Sequence, residues 1–176
     1  MSGLINIQNR GLRRAIANQC VGFVGLAIGN AGQATVKTAN SVVYTIDGVY
    51  YSNAAFTAQS LVPTHGPFGD TVGAGPVAYV QPANTSVIYL LVGDTKSNVF
   101  VVQGSYAGQP IVYPNDLSRV NTGTGGVPFV PSTFTTIGAV KVATAAGTTF
   151  TPGTTALDAT GLTVTFINIA VLPETL

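Results

Sequence analysis

Side chains that do acid–base, nucleophilic or metal chemistry are sparse in this 176-residue chain. It holds one histidine, His65, one cysteine, Cys20, and six acids: Asp47, Asp70, Asp94, Asp116, Asp158 and Glu174. General acid–base catalysis needs titratable groups positioned against the reacting atoms. His65 stands in Pro63-Thr-His-Gly-Pro67, a turn-rich loop, and no G-x-S-x-G nucleophile elbow accompanies it. Cys20 lies in an apolar stretch, where a cysteine acts as a small buried hydrophobe. Asp47 and Asp94 occupy hairpin-turn sequences, and Asp70 and Asp116 sit among Gly, Pro and Asn as turn formers do. Nothing in the spacing pairs two carboxylates across a cleft, as glycoside hydrolysis requires. One Cys and one His far apart in sequence make no zinc cluster, and no D-x-D-x-D run offers calcium its oxygens. Gly123-Thr-Gly125-Gly126 lacks the lysine and following helix of a phosphate loop. The sequence therefore predicts no catalytic residue, no metal and no cofactor.

The remaining chemistry is ionic. Arg10, Arg13 and Arg14 are three of the four arginines, in a first thirty residues that hold no acid. Such a cluster is a solvated face, a surface pairing with acids on a protein partner, or a contact to a nucleic-acid backbone. A net charge of +1 and a pI near 7.9 fall short of a nucleic-acid footprint, which usually needs a pI above about 9. Leu12, Ile16, Cys20 and Phe23 recur near helical spacing, and Gly22, Gly25 and Gly29 then break it. Residues 1–30 read as an arm, a short helix running into an extended glycine-rich segment; the alternative is an ordinary first helix packed on the domain. Within the arm, Leu4, Ile5, Ile7, Arg10, Leu12, Arg13, Arg14 and Ile16 are the candidate partner-binding set.

The elements that must position these residues are strands. From Gln33 onward Val, Thr, Tyr and Ile dominate, and turn residues arrive every eight to twelve positions. Asp47-Gly48 tolerates the positive φ angles of a type I′ turn, so 41–46 and 49–52 read as a hairpin. The run 86–92 is almost continuously apolar, suited to a strand covered on both faces, and 98–103 returns after a turn at 93–97. The stretches 135–142 and 162–172 form a third pair, with Leu162, Val164, Phe166, Asn168 and Ala170 sharing one face. The expected core includes Val87, Tyr89, Leu91, Val99, Val101, Val164 and Phe166. Long Gly-, Pro- and Thr-rich loops at 63–76, 105–114, 121–131 and 145–155 suit docking surfaces better than active sites. The fold class is all-β: a β-sandwich or jelly-roll-like body over 31–176 carrying the N-terminal arm.

Only 7% of the chain is charged while 46% is hydrophobic, against roughly 25% charge in ordinary soluble domains. Such a surface is covered by a membrane, a fibre or a shell of subunits. No apolar run reaches the about 20 residues a spanning helix needs. The best candidate, 15–28, follows arginines as a signal peptide would, but Asn18, Gln19 and two glycines interrupt it. Assembly remains, as a homo-oligomer with a trimer favoured over a dimer.

Three segments carry a resemblance: Ser41-Val-Val-Tyr-Thr-Ile-Asp-Gly-Val-Tyr-Tyr-Ser52, Pro82-Ala-Asn-Thr-Ser-Val-Ile-Tyr-Leu-Leu-Val92 with its hairpin return, and Gly138-Ala-Val-Lys-Val142. Together they resemble small virion structural proteins of tailed bacteriophages, of the capsid cement or decoration type. The resemblance implies a β-sandwich or jelly-roll subunit, trimeric or dimeric, on the outer capsid surface. It would grip the major capsid protein through arms and loops, with no catalytic residue and no nucleic-acid or membrane partner. Two rivals stand beside it. One is a head-fibre or tail-associated module contacting host glycans, with Tyr106, Tyr113 and Phe129 as candidate aromatics; the other is a polysaccharide-degrading enzyme, which the scarcity of carboxylates disfavours.

Overall fold

The computed structural model describes residues 18–64, 80–104, 130 and 132–169. In them the chain forms ten strands and no helix: β1 (Gln19–Cys20), β2 (Leu26–Ile28), β3 (Thr35–Thr38), β4 (Val42–Ile46), β5 (Val49–Asn53), β6 (Gln59–Ser60), β7 (Ser86–Gly93), β8 (Val99–Gln103), β9 (Thr135–Thr144) and β10 (Leu162–Asn168). They make three antiparallel sheets, ordered β1-β4-β5, β10-β9-β7-β8 and β2-β3-β6. The protein is all-β, and its sheets pack as a sandwich.

Sequence dictates the pairings locally. Asp47 and Gly48 take φ angles of 51° and 76°, and Ile46 faces Val49 across a two-residue turn. That is the twist-matching geometry Asp-Gly favours. β7 and β8 are joined by residues 94–98, with Gly93 opposite Val99. β9 and β10 pair over their whole common length, Thr144 with Leu162 through Gly138 with Asn168. Along β10 the faces alternate as expected: Leu162, Val164 and Phe166 are half-buried, and Thr163, Thr165 and Ile167 exposed. Ala170 lies outside the described residues.

The main core lies between one face of the four-stranded sheet and the two smaller sheets. Val87, Tyr89, Leu91, Val101, Val140 and Val142 meet Cys20, Leu26, Val36, Val42, Tyr44 and Leu61 there. A second apolar cluster covers the other face, where Leu90, Val92, Val102 and Ala139 pack with Ile88, Phe100, Val130 and Phe134. β7 is thus buried on both faces, as its unbroken apolar run requires. Gly138 lets β2 approach β9, since a Cβ there would overlap the Leu26 side chain. The Leu26 N–H, at this junction, donates to Asn168 Oδ1 at 2.8 Å.

Three expectations change. First, residues 18–30 are woven into the body rather than held apart as an arm: β1 pairs with β4, β2 pairs with β3, and Cys20, Val24 and Leu26 are buried. The helical spacing does not continue through them, because Cys20 points into the core from a strand while Phe23 is exposed. Glycine costs a helix about 1 kcal/mol per residue, and short strands tolerate the interruptions. Second, Val99, Val164 and Phe166 are half-buried rather than core, because β8 and β10 are the outer strands of their sheet. Third, the 145–155 loop is anchored inward: Phe150 is fully buried and its backbone bridges Gln81.

Candidate interaction surface

Among the described residues, the side chains singled out for chemistry do not gather at one site. Cys20 is buried in β1, and its Sγ donates to the Gly22 carbonyl at 3.3 Å. Burial pushes the thiol pKa up, only partly offset by that hydrogen bond, so the thiol stays protonated at neutral pH. It forms part of the wall of a cavity of about 280 Å³ shared with Asn18, Phe134, Thr136 and Ile169. His65, Asp70, Asp116 and Glu174 lie outside the described residues. So do the whole partner-binding set of Leu4, Ile5, Ile7, Arg10, Leu12, Arg13, Arg14 and Ile16, and the aromatics Tyr106, Tyr113 and Phe129. Among the described residues, no three His, Cys, Asp or Glu side chains gather as a metal site would need.

The two turn aspartates do different work. Asp47 supplies a positive φ, and its N–H donates to Asn18 Oδ1 at 3.0 Å. Asp94 supplies a carboxylate: Oδ1 accepts the Lys96 and Asn98 N–H groups, each at 2.8 Å, and Oδ2 accepts from Asn98 Nδ2 at 3.0 Å. Burial pushes the Asp94 carboxyl up, but the Asn98 and Lys96 hydrogen bonds and the Lys96 charge outweigh it, holding the pKa below the usual carboxylate value. The Asp94 carbonyl also accepts from Tyr44 Oη at 2.7 Å, tying the turn to a fully buried ring.

This rigid turn forms one wall of an open groove of about 570 Å³, whose other wall runs from the end of β5 to β6. Its polar lining is uncharged: Asn53, Gln59, Ser97 and Asn98, beside the rings of Phe56 and Phe100. Asn53 Nδ2 donates to the Ser97 carbonyl, and Gln59 Nε2 to the Ser60 carbonyl at 3.2 Å. The amide oxygens of Asn53, Gln59 and Asn98 accept nothing from the described residues. Uncommitted amides beside phenyl faces can take a neutral, hydroxyl-rich ligand. Sequence reasoning missed this groove because its walls come from residues 53–59 and 97–100, separate in the chain.

A second exposed feature is β5. Tyr50 is 71% and Val49 54% exposed, and no charge occurs between Val49 and Ser60. The sequence carries one part of this, the absence of Lys, Arg, Asp and Glu from the strand; its place at a sheet edge comes from the pairing. The six described charges, Lys37, Asp47, Asp94, Lys96, Lys141 and Asp158, all lie elsewhere. The chain matches no protein-family model, no curated protein and no solved structure.

Proposed function

We propose that this protein is a non-catalytic bacteriophage capsid decoration subunit, an oligomer that binds the outer face of the major capsid protein lattice and stabilises the head. One observation carries the reading: a sandwich packed on both faces of its largest sheet exposes a surface with only six charged side chains among the described residues. Interface surfaces are depleted of charge in this way. On a lattice of many copies, modest contacts sum to a firm hold. The N-terminal set Leu4 to Ile16, with its three arginines, supplies the grip in this reading.

The test is co-sedimentation with capsids of the encoding phage stripped of this protein. The full chain should pellet with them, and a chain lacking residues 1–17 should remain folded but lose at least tenfold in binding. The cut falls before Asn18 because β1 and β2 belong to the core. Failure of the full chain to bind overturns the reading; equal binding by both chains moves the grip into the body.

The amide groove favours a second reading, a module that binds neutral glycans. Retardation of the full chain on immobilised neutral oligosaccharide, lost in Gln59→Ala and Asn98→Ala, would support it over the first.

A further inference from the structure

The hydrogen-bond alternation of the β1-β4-β5 sheet fixes what β5 shows to solvent. The Val21 N–H donates to the Val43 carbonyl at 2.8 Å, so Val43 turns its backbone toward β1. Alternation then turns Val42, Tyr44 and Ile46 toward β5, where their partners are Asn53, Tyr51 and Val49. Tyr50 and Ser52 are left with both their N–H and C=O groups pointing away from β4. No described residue bonds them, and both residues are exposed.

An edge strand of this kind normally carries a Lys, a Pro, a bulge or a covering loop that prevents pairing. β5 is uncharged, proline-free and paired in regular register with β4. β8, an outer strand of the large sheet, contrasts with it: Thr64 takes its edge, donating its N–H to the Val101 carbonyl at 2.9 Å and accepting the Val101 N–H on Oγ1 at 3.3 Å.

We infer that β5 pairs antiparallel with β5 of a second copy about a two-fold axis at Tyr51, joining two three-stranded sheets into one of six strands. The occupant follows from the strand itself. β5 runs from Val49 to Asn53, so Tyr51 is its midpoint. A two-fold there sets Tyr50 opposite Ser52 of the partner subunit, and Ser52 opposite Tyr50 of the partner subunit. All four outward N–H and all four outward C=O groups fall within this symmetric span. Each Asp47 then lies beyond the paired residues, at opposite ends, so no like charges meet. Backbone pairing supplies the affinity and the exposed Tyr50 side chains flank the axis. The contact is small against a standard interface, so the pair forms in a concentration-dependent way in solution and is firmest where copies are already held close. It is an isologous contact, which builds a dimer rather than the trimer that the charge balance alone favours. It does not depend on the capsid reading.

Sedimentation equilibrium of the full chain from roughly 10 µM to 1 mM tests the pairing. The average mass should rise toward twice that of the chain. Tyr50→Lys places a charge on the edge at a solvent-exposed side chain, and Ser52→Pro removes one outward N–H while leaving the bonds to β4. Each should weaken association at least tenfold. Circular dichroism should show the Tyr50→Lys fold unchanged, which keeps the test valid should Ser52→Pro unfold. Thr163→Lys adds the same charge to β10, another uncharged outer strand, at an exposed position opposite Ala143, and should dimerise like the parent. A parent monomeric throughout, Tyr50→Lys associating as the parent does, or loss on Thr163→Lys instead would each overturn the inference. So would a monomeric parent whose Tyr50→Lys variant loses only capsid binding, since β5 would then take a foreign strand. Dimerisation without capsid binding would remove the proposed function and leave this pairing standing.

Discussion

The β4–β5 hairpin turns in two residues and the β7–β8 hairpin in five, and each has an aspartate in its turn. In the first, Asp47 and Gly48 bend the backbone with φ angles of 51° and 76°, and the turn projects into solvent. In the second, the Asp94 carboxylate collects three hydrogen bonds and the turn rests on the buried Tyr44 ring. The strands differ as the turns do. β7 is buried on both faces, whereas β5 leaves Val49 and Tyr50 in solvent. Identical supersecondary structure therefore yields a core element in one place and an open edge in the other. The inner strands are alike, β7 between β8 and β9 and β4 between β1 and β5; the difference lies in the outer ones, since Thr64 bonds the edge of β8 at Val101, whereas among the described residues β5 has β4 alone.

A matched pair of glycine substitutions would break this comparison most sharply. A Cβ on Gly93 would overlap the Tyr44 ring, which is fully buried and held by its hydroxyl. Overpacking of this kind costs roughly 1–3 kcal/mol. A Cβ on Gly48 meets no described residue within 4 Å; the cost there is the positive φ, about 1 kcal/mol. Gly93→Ala should therefore lower the thermal midpoint more than Gly48→Ala does. Asparagine separates the causes, because it tolerates the left-handed region. Gly48→Asn should recover part of the Gly48→Ala loss, whereas Gly93→Asn should be worse than Gly93→Ala. Equal losses at the two sites would mean that the hairpins differ less in packing than their burial implies.

The parts of the fold legible in the sequence are those fixed by neighbours along the chain. Asp47-Gly48, the apolar run of β7 and the alternation of β10 each specify a pairing within a few residues of itself. β1 and β2 were not legible: they are two and three residues long, lie among glycines, and owe their strand conformation to β4 and β3. Their apolar residues fell by coincidence at helical spacing. Val99, Val164 and Phe166 carry core side chains, but burial depends on a strand's place in its sheet, which no local pattern states. The open edge and the amide groove escaped for the same reason. Asn53 and Ser97 touch only because two hairpins from different sheets meet. Cys20 as a buried hydrophobe was legible, since its apolar neighbours already argued for it.

The two aspartates give the finest test. Asp94 is held below the usual carboxylate pKa, about 3.9 in an unfolded chain. A depressed folded pKa contributes stability that is present above the unfolded value and is lost as pH falls through the folded one. Denaturation in urea should show this contribution intact at pH 7 and 5, and fading below about pH 4. Asp94→Asn places an amide where three N–H donors converge, so one acceptor oxygen is lost and its new N–H groups face other donors. The position is only partly buried, so solvent screening reduces the loss to about 1 kcal/mol at pH 7. The gap between parent and Asp94→Asn should narrow as pH falls toward 2, because the parent's carboxylate is then neutralised too. Asp47→Asn keeps a residue that tolerates positive φ, and the Asp47 side chain accepts no hydrogen bond from the described residues. It should cost within about 0.5 kcal/mol at pH 7. A larger loss at Asp47 than at Asp94 would show that the exposed hairpin, rather than the buried one, depends on its carboxylate, and would reverse the division of labour between the two turns.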